Sequence, residues 1–179
     1  MRVAIIILIL SSSCLFAQRN EKEINASFVL QEIALLDIKP NTTNIHLGLS
    51  APVNPGEKAR VLSVDTNRWL NFTSAIRQGA SARNITVKIE DGVIPDGLVL
   101  KLKTAAFQGS GKGELGNHVP VITLTHQSQS IVENIRGAYT GNGQGNGYKL
   151  TYFIEINNYD ALDINTSETI TVSLTLSDF

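Results

Sequence analysis

From residue 168 to 178 the chain alternates without a break: Ile170, Val172, Leu174 and Leu176 take one parity, Thr169, Thr171, Ser173, Thr175 and Ser177 the other. Successive side chains of an extended strand point to opposite faces, so this rhythm predicts a strand with one apolar face and one hydroxyl face. Residues 148–157 repeat it. Tyr148, Leu150, Tyr152, Ile154 and Ile156 share one parity, Lys149, Thr151, Glu155 and Asn157 the other, and Phe153 alone is out of place. The two segments read as neighbouring strands over one core.

The same period recurs upstream. Residues 43–50 place Ile45, Leu47 and Leu49 opposite Asn44, His46 and Gly48, and the prolines Pro52 and Pro55 then stop the pattern. Shorter strands are expected at 61–64 and 69–73. Ile85, Val87 and Ile89 alternate with Thr86, Lys88 and Glu90 up to an Asp91-Gly92 turn, and Leu98, Leu100 and Leu102 alternate with Val99, Lys101 and Lys103 after Pro95-Asp96-Gly97. Strand character resumes at 119–125. Residues 130–139 lead into a run with glycine at 141, 143, 145 and 147, which is expected to reverse the chain before Tyr148 because glycine and asparagine tolerate positive φ. Residues 109–113 are expected to form a flexible loop.

The segment 27–38 is ambiguous. Phe28, Leu30, Ala34, Leu36 and Ile38 share a parity, but Ile33 and Leu35 fall on the other. A strand there must be buried on both faces or bulged near Gln31 and Glu32, and a helix ended by Pro40 is the alternative; the strand is favoured. Many short strands with turns about every ten residues, and no long amphipathic helix, predict an all-β fold: an antiparallel, immunoglobulin-like β-sandwich of one domain over residues 26–179.

Composition agrees with a globular chain: 179 residues, 42% apolar, 17% charged, formal net charge -1. A charge so near zero gives no electrostatic footprint for nucleic acid or an anionic membrane. Arg2, the apolar run from Ala4 to Leu10 and the small residue Ala17 form a signal-peptide pattern over residues 1–17, so export is expected, with a mature chain starting at Gln18 and a loose tail at 18–25. The protein would then be secreted, periplasmic or at the cell surface. The single cysteine, Cys14, lies in that leader. Lipidation of Cys14 is the alternative to cleavage after Ala17, and cleavage leaves a mature domain with no thiol and no disulfide. No later apolar run is long enough to cross a bilayer as a helix.

Catalytic chemistry is hard to assemble from these residues. At 109–113 Lys112 is followed by Gly113 rather than serine or threonine, and Ala106 stands where a phosphate loop needs glycine. His46, His118 and His126 are the only histidines, and the last two would sit about 26 Å apart on one strand, too far for a shared metal ion. The oxygen-rich segment 157–165 lacks the glycine and glutamate of an EF-hand loop, so a solvated turn is preferred over a calcium site. No serine lies in a nucleophile elbow. Asn25, Asn41, Asn71, Asn84 and Asn165 begin glycosylation sequons, which carry meaning only in a eukaryotic secretory pathway. No enzyme activity, cofactor or metal is expected.

The aromatic residues offer more. Trp69 is either a core residue or a sugar-stacking platform, and Tyr139, Tyr148 and Tyr159 flank the glycine-rich and acidic loops where an aromatic patch could form. These four are the candidate ligand-binding residues.

A leader, a cysteine-free β chain, a glycine-rich hairpin before residues 148–157 and an alternating strand up to Ser177-Asp178-Phe179 together resemble bacterial secreted fimbrial subunits, including the spore-coat-U-like group. The resemblance implies an incomplete immunoglobulin-like sandwich completed by an N-terminal extension of another subunit, here mapped within residues 26–38. Three features depart from it: the broken alternation at 31–33, Phe179 off the parity of the last strand, and the lack of a cysteine pair. The expected function is an exported, non-enzymatic structural or surface subunit whose partners are other protein subunits. A carbohydrate-binding or adhesive module is the alternative.

Overall fold

The computed structural model describes residues 22–41, 44–162 and 167–178. The leader reading, Cys14, the cleavage position and Asn165 lie outside them. Two compact units are present, one ending at Leu30 and one running from Gln31. In the first, the described residues 22–30 carry no regular secondary structure and are exposed.

The second unit is wholly β among its described residues. Its strands are β1 (Ile33–Lys39), β2 (Leu49–Ser50), β3 (Arg60–Val61), β4 (Asp65–Ala75), β5 (Arg83–Asp91), β6 (Leu98–Thr104), β7 (Lys112–Gly113), β8 (Asn117–His118), β9 (Val121–Thr123), β10 (Gln129–Ile135), β11 (Ala138–Tyr139), β12 (Tyr148–Ile156) and β13 (Thr171–Asp178). All pairings are antiparallel. In a seven-stranded sheet β4 pairs with β1 along one side and with β11 and then β12 along the other, β7 continuing from β11 and β6 then β9 from β12, and a four-stranded sheet runs β13-β5-β10-β8. β2 and β3 make a small separate ladder.

The two larger sheets enclose one core. Leu70, Phe72, Leu100, Leu102, Tyr148, Leu150, Tyr152 and Ile154 enter it from the first, and Ile85, Val87, Ile89, Ile131, Val132 and Ile135 from the second. Burial of each such side chain stabilises by roughly 1.5–3 kcal/mol. The hydroxyl face of β13 lies on the outside of the smaller sheet, where Ser130, Thr86 and Thr175 form a row across three strands.

Several expectations change. β12 and β13 face the same core but from opposite sheets: β12 pairs with β4 and β6, and β13 with β5. At 44–48 the alternation buries Ile45 and Leu47 partly against the core, yet the backbone joins a ladder only at Leu49–Ser50. Packing of one face, without a partner strand, is enough to impose that rhythm. In the ambiguous segment, β1 is neither doubly buried nor bulged. It is an edge strand with Leu36 and Ile38 turned to the core and Ile33 and Leu35 outward, 40% and 64% exposed.

The glycine-rich run does not reverse the chain. β11 and β12 lie along the same side of β4, Tyr139 opposite Thr73 and Tyr148 opposite Leu70, both antiparallel to it. The chain therefore leaves the ladder after Thr140, whose backbone N–H donates to the Phe72 carbonyl, makes an excursion through residues 141–146, and resumes the same track. Asn71 holds the excursion. Its Oδ1 accepts from the Gly143 N–H at 2.7 Å, and its Nδ2 donates to the Asn146 carbonyl at 2.6 Å. At Gly147, with φ of +91°, a Cβ would stand 2.0 Å from the Leu70 carbonyl oxygen, so no larger residue fits. The 109–113 segment is likewise packed rather than free: Lys112–Gly113 pairs with β11, and a Cβ at Gly113 would lie 2.1 Å from the Gly137 carbonyl oxygen.

Candidate functional site

Three regions could carry function: a polar clamp at one end of the sandwich, the open side where β1 and β13 meet, and the outer face of the larger sheet.

The clamp is built on Arg83 at the start of β5, whose side chain is 5% exposed. Its guanidinium donates to Asp178 Oδ1 on β13 at 2.6 Å, to Ser74 Oγ on β4 at 3.4 Å and to the Ile33 carbonyl on β1. Glu32 adds an ion pair at 3.5 Å. A planar fork with five donors suits this task because it reaches both sheets at once. A second buried arginine, Arg68, bonds Asp65 Oδ2 and the Asn44 carbonyl, each at 2.9 Å.

Beside the clamp, β1 and β13 come together, each the edge strand of its sheet among the described residues. The core-facing residues Val172, Leu174 and Leu176 of β13, with Ile170 before it and Leu36 and Ile38 of β1, pack on the core but are only half-buried. Their counterparts on β5, Ile85, Val87 and Ile89, are at most 2% exposed. Among the described residues, the apolar interior is therefore covered less fully along this side.

The four aromatic candidates separate. Tyr148 is in the core at 1% exposure, stacked on Phe72 with ring centroids 6.2 Å apart, and its hydroxyl donates to the Leu115 carbonyl at 2.9 Å. Neither ring face is open to a ligand. Trp69 is buried without belonging to the central core: it lies on the outer face of β4 between Lys39 and Lys149. Tyr139 and Tyr159 do present rings, at 46% and 54% exposure, but in different grooves. Tyr159 lines one of about 1050 Å³ with Arg60, Glu155 and Asn157, its hydroxyl accepting from the Ala59 N–H at 3.3 Å. Tyr139 lines another of about 690 Å³ with Leu35, Asp37, Thr73 and Asn142. Leu35 and Asp37 were legible only as residues off the apolar parity of their segment, and nothing in the sequence marked Arg83.

Burial pushes the Tyr148 and Tyr152 hydroxyls up to about 12. Because the folded values lie above the unfolded value near 10, the stability they contribute is intact below about pH 10 and falls as pH rises toward 12. A urea-denaturation series from pH 8 to 12 is expected to show that loss, with a shallower decline in Tyr148→Phe/Tyr152→Phe.

His118 sits in β8, while His126 follows β9 with Nδ1 3.2 Å from the Ile89 carbonyl, so one strand does not hold both. Among the described residues no three metal-ligating side chains cluster. Of the oxygen-rich segment 157–165, expected as a solvated turn, residues 163–165 lie outside the described residues, and the described part is held by the Asn157 and Asn158 N–H groups donating to the Gly97 carbonyl. No described helix is long and apolar enough to cross a membrane.

The fold and its surfaces define an antiparallel two-sheet β protein with one open side. No known protein family, curated protein or solved structure matches the chain.

Proposed function

We propose that the chain is an exported, non-enzymatic structural subunit of immunoglobulin-like type that assembles with other subunits through sheet edges. Residues 24–30 of one copy add as a strand along β13 of another. The observation that carries this reading is the half-buried apolar row of β13 on a free sheet edge, because an added strand would satisfy its backbone and cover Val172, Leu174 and Leu176 together. The chain holds a segment suited to that place. Ile24, Ala26, Phe28 and Leu30 alternate with Asn25, Ser27 and Gln31, only Val29 breaking the pattern, and Ile24, Phe28 and Leu30 are 85–93% exposed. This segment lies toward the N-terminal end of the 26–38 span that the resemblance mapped and begins two residues before it, since Ile33–Lys39 is already paired within its own sheet. The leader pattern supports export.

Deleting residues 18–30 leaves β1 and the Arg83 clamp in place, apart from the connection to Gln31. In sedimentation velocity, the chain starting at Gln18 is expected to form concentration-dependent oligomers and the deletion variant to remain a folded monomer. Monomers from both chains at every concentration would refute the reading.

A further inference from the structure

We propose that the outer face of the seven-stranded sheet carries a binding site for neutral saccharides, centred on Tyr139 and walled by Leu35 and Asp37. Register builds it. Leu35 and Tyr139 both stand opposite Thr73, one on each side of β4, so the three side chains form a row with Thr73 as the floor. With strands spaced near 4.8 Å, the two walls rise from backbones about 10 Å apart, enough for a single sugar ring between them. One position along, Asp37 stands opposite Asn71, and Asn142 lines the same groove from the excursion.

Each wall has a chemistry that a pyranose uses. Tyr139, 46% exposed, supplies an aromatic ring on which sugar C–H groups can stack. Leu35, 64% exposed, closes the opposite side. Asp37 supplies two carboxylate oxygens for sugar hydroxyls, oriented by the Ile38 N–H at 2.8 Å and by Lys39 Nζ at 2.7 Å. Asn71 is not free to contribute. Its amide is committed to the excursion, which fixes the groove's far wall in place. The groove is shallow and open, about 690 Å³, so it would take a ligand lying along the sheet face rather than one enclosed by it.

Charge selects the class of sugar. Among the described residues Asp37 is the one charged side chain that lines the groove, and its carboxylate is paired with Lys39 of its own strand at 2.7 Å, which offsets its charge. A ligand of many hydroxyls and no charge suits it best. The site lies on the outer face of β1 and β4, the face turned from the core, and its test is read on the glycan rather than on assembly.

The test is an array of neutral and acidic oligosaccharides probed with the chain starting at Gln18, then titration calorimetry with the neutral hexose oligomer giving the strongest signal. Tyr139→Ala is expected to weaken binding at least about tenfold, while Tyr139→Phe, which keeps the ring, stays within about threefold of the parent. Asp37→Asn should weaken it several-fold, and Tyr159→Ala in the other groove should leave it unchanged. Thermal melts of all four variants confirm that they fold. The proposal is overturned by no binding to any neutral glycan, by preference for acidic glycans, or by an affinity indifferent to Tyr139→Ala.

Discussion

Arg83→Met is expected to lower the unfolding free energy by about 3 kcal/mol in urea titration, although methionine approaches arginine in length and is more apolar. The guanidinium is nearly buried, and it joins three strands from two sheets: β13 through Asp178, β4 through Ser74 and β1 through the Ile33 carbonyl. Methionine fills the space but donates nothing. The Ile33 carbonyl and the Ser74 hydroxyl lose their charged donor, and an unmet buried polar group costs about 1–3 kcal/mol. The two carboxylates matter less individually. Asp178 and Glu32 have side chains 64% and 52% exposed, so water replaces the lost partner and Asp178→Asn should cost under about 1 kcal/mol. Lysine at position 83 should restore little, because one ammonium cannot span the partners that the fork reaches.

Gly147→Ala is expected to destabilise by about 3–4 kcal/mol, against about 1 kcal/mol for Gly143→Ala and Gly145→Ala. All three glycines have positive φ, so all three carry the conformational penalty of an L side chain. Only at Gly147 does steric overlap add to it. Its new methyl would stand 2.0 Å from the Leu70 carbonyl oxygen and 3.0 Å from Asn71 Nδ2, whereas positions 143 and 145 have no heavy atom within 4 Å. Urea titration of the three variants separates contact from conformation. Equal losses at 143, 145 and 147 would mean that the return of the chain to β4 is not the tight point of the excursion.

The strands most legible in the sequence were those with one face on the core. β5, β6, β12 and β13 all show period two because the outer faces of their sheets meet water, leaving Lys88, Lys101, Lys149 and Ser173 to mark the polar side. β4 was underestimated for the opposite reason. Arg68 through Phe72 are all buried, because Trp69 and Asn71 on the outer face are covered as well, and a strand covered on both sides loses its alternation. The glycine-rich run was misread as a hairpin because local composition reports tolerance of positive φ but not the direction in which the chain returns. That direction is set by Asn71, more than seventy positions away. The aromatic candidates were partly legible. Tyr139 and Tyr148 both flank that run, yet one ring faces out and the other is in the core, a difference fixed by their positions against Thr73 and Leu70 of β4. Arg83 left no trace in the sequence because its partners come from three separated parts of the chain.

The assembly account depends on β13 receiving a strand from another copy. Hydrogen–deuterium exchange of the chain starting at Gln18, compared at concentrations below and above oligomer formation, tests that directly. The account predicts that amides of Thr171–Asp178 that do not bond β5 gain protection in the oligomer together with those of residues 24–30, while β8, at the other edge of the same sheet, is unchanged. Oligomers in which Thr171–Asp178 exchanges as fast as in the monomer would contradict it.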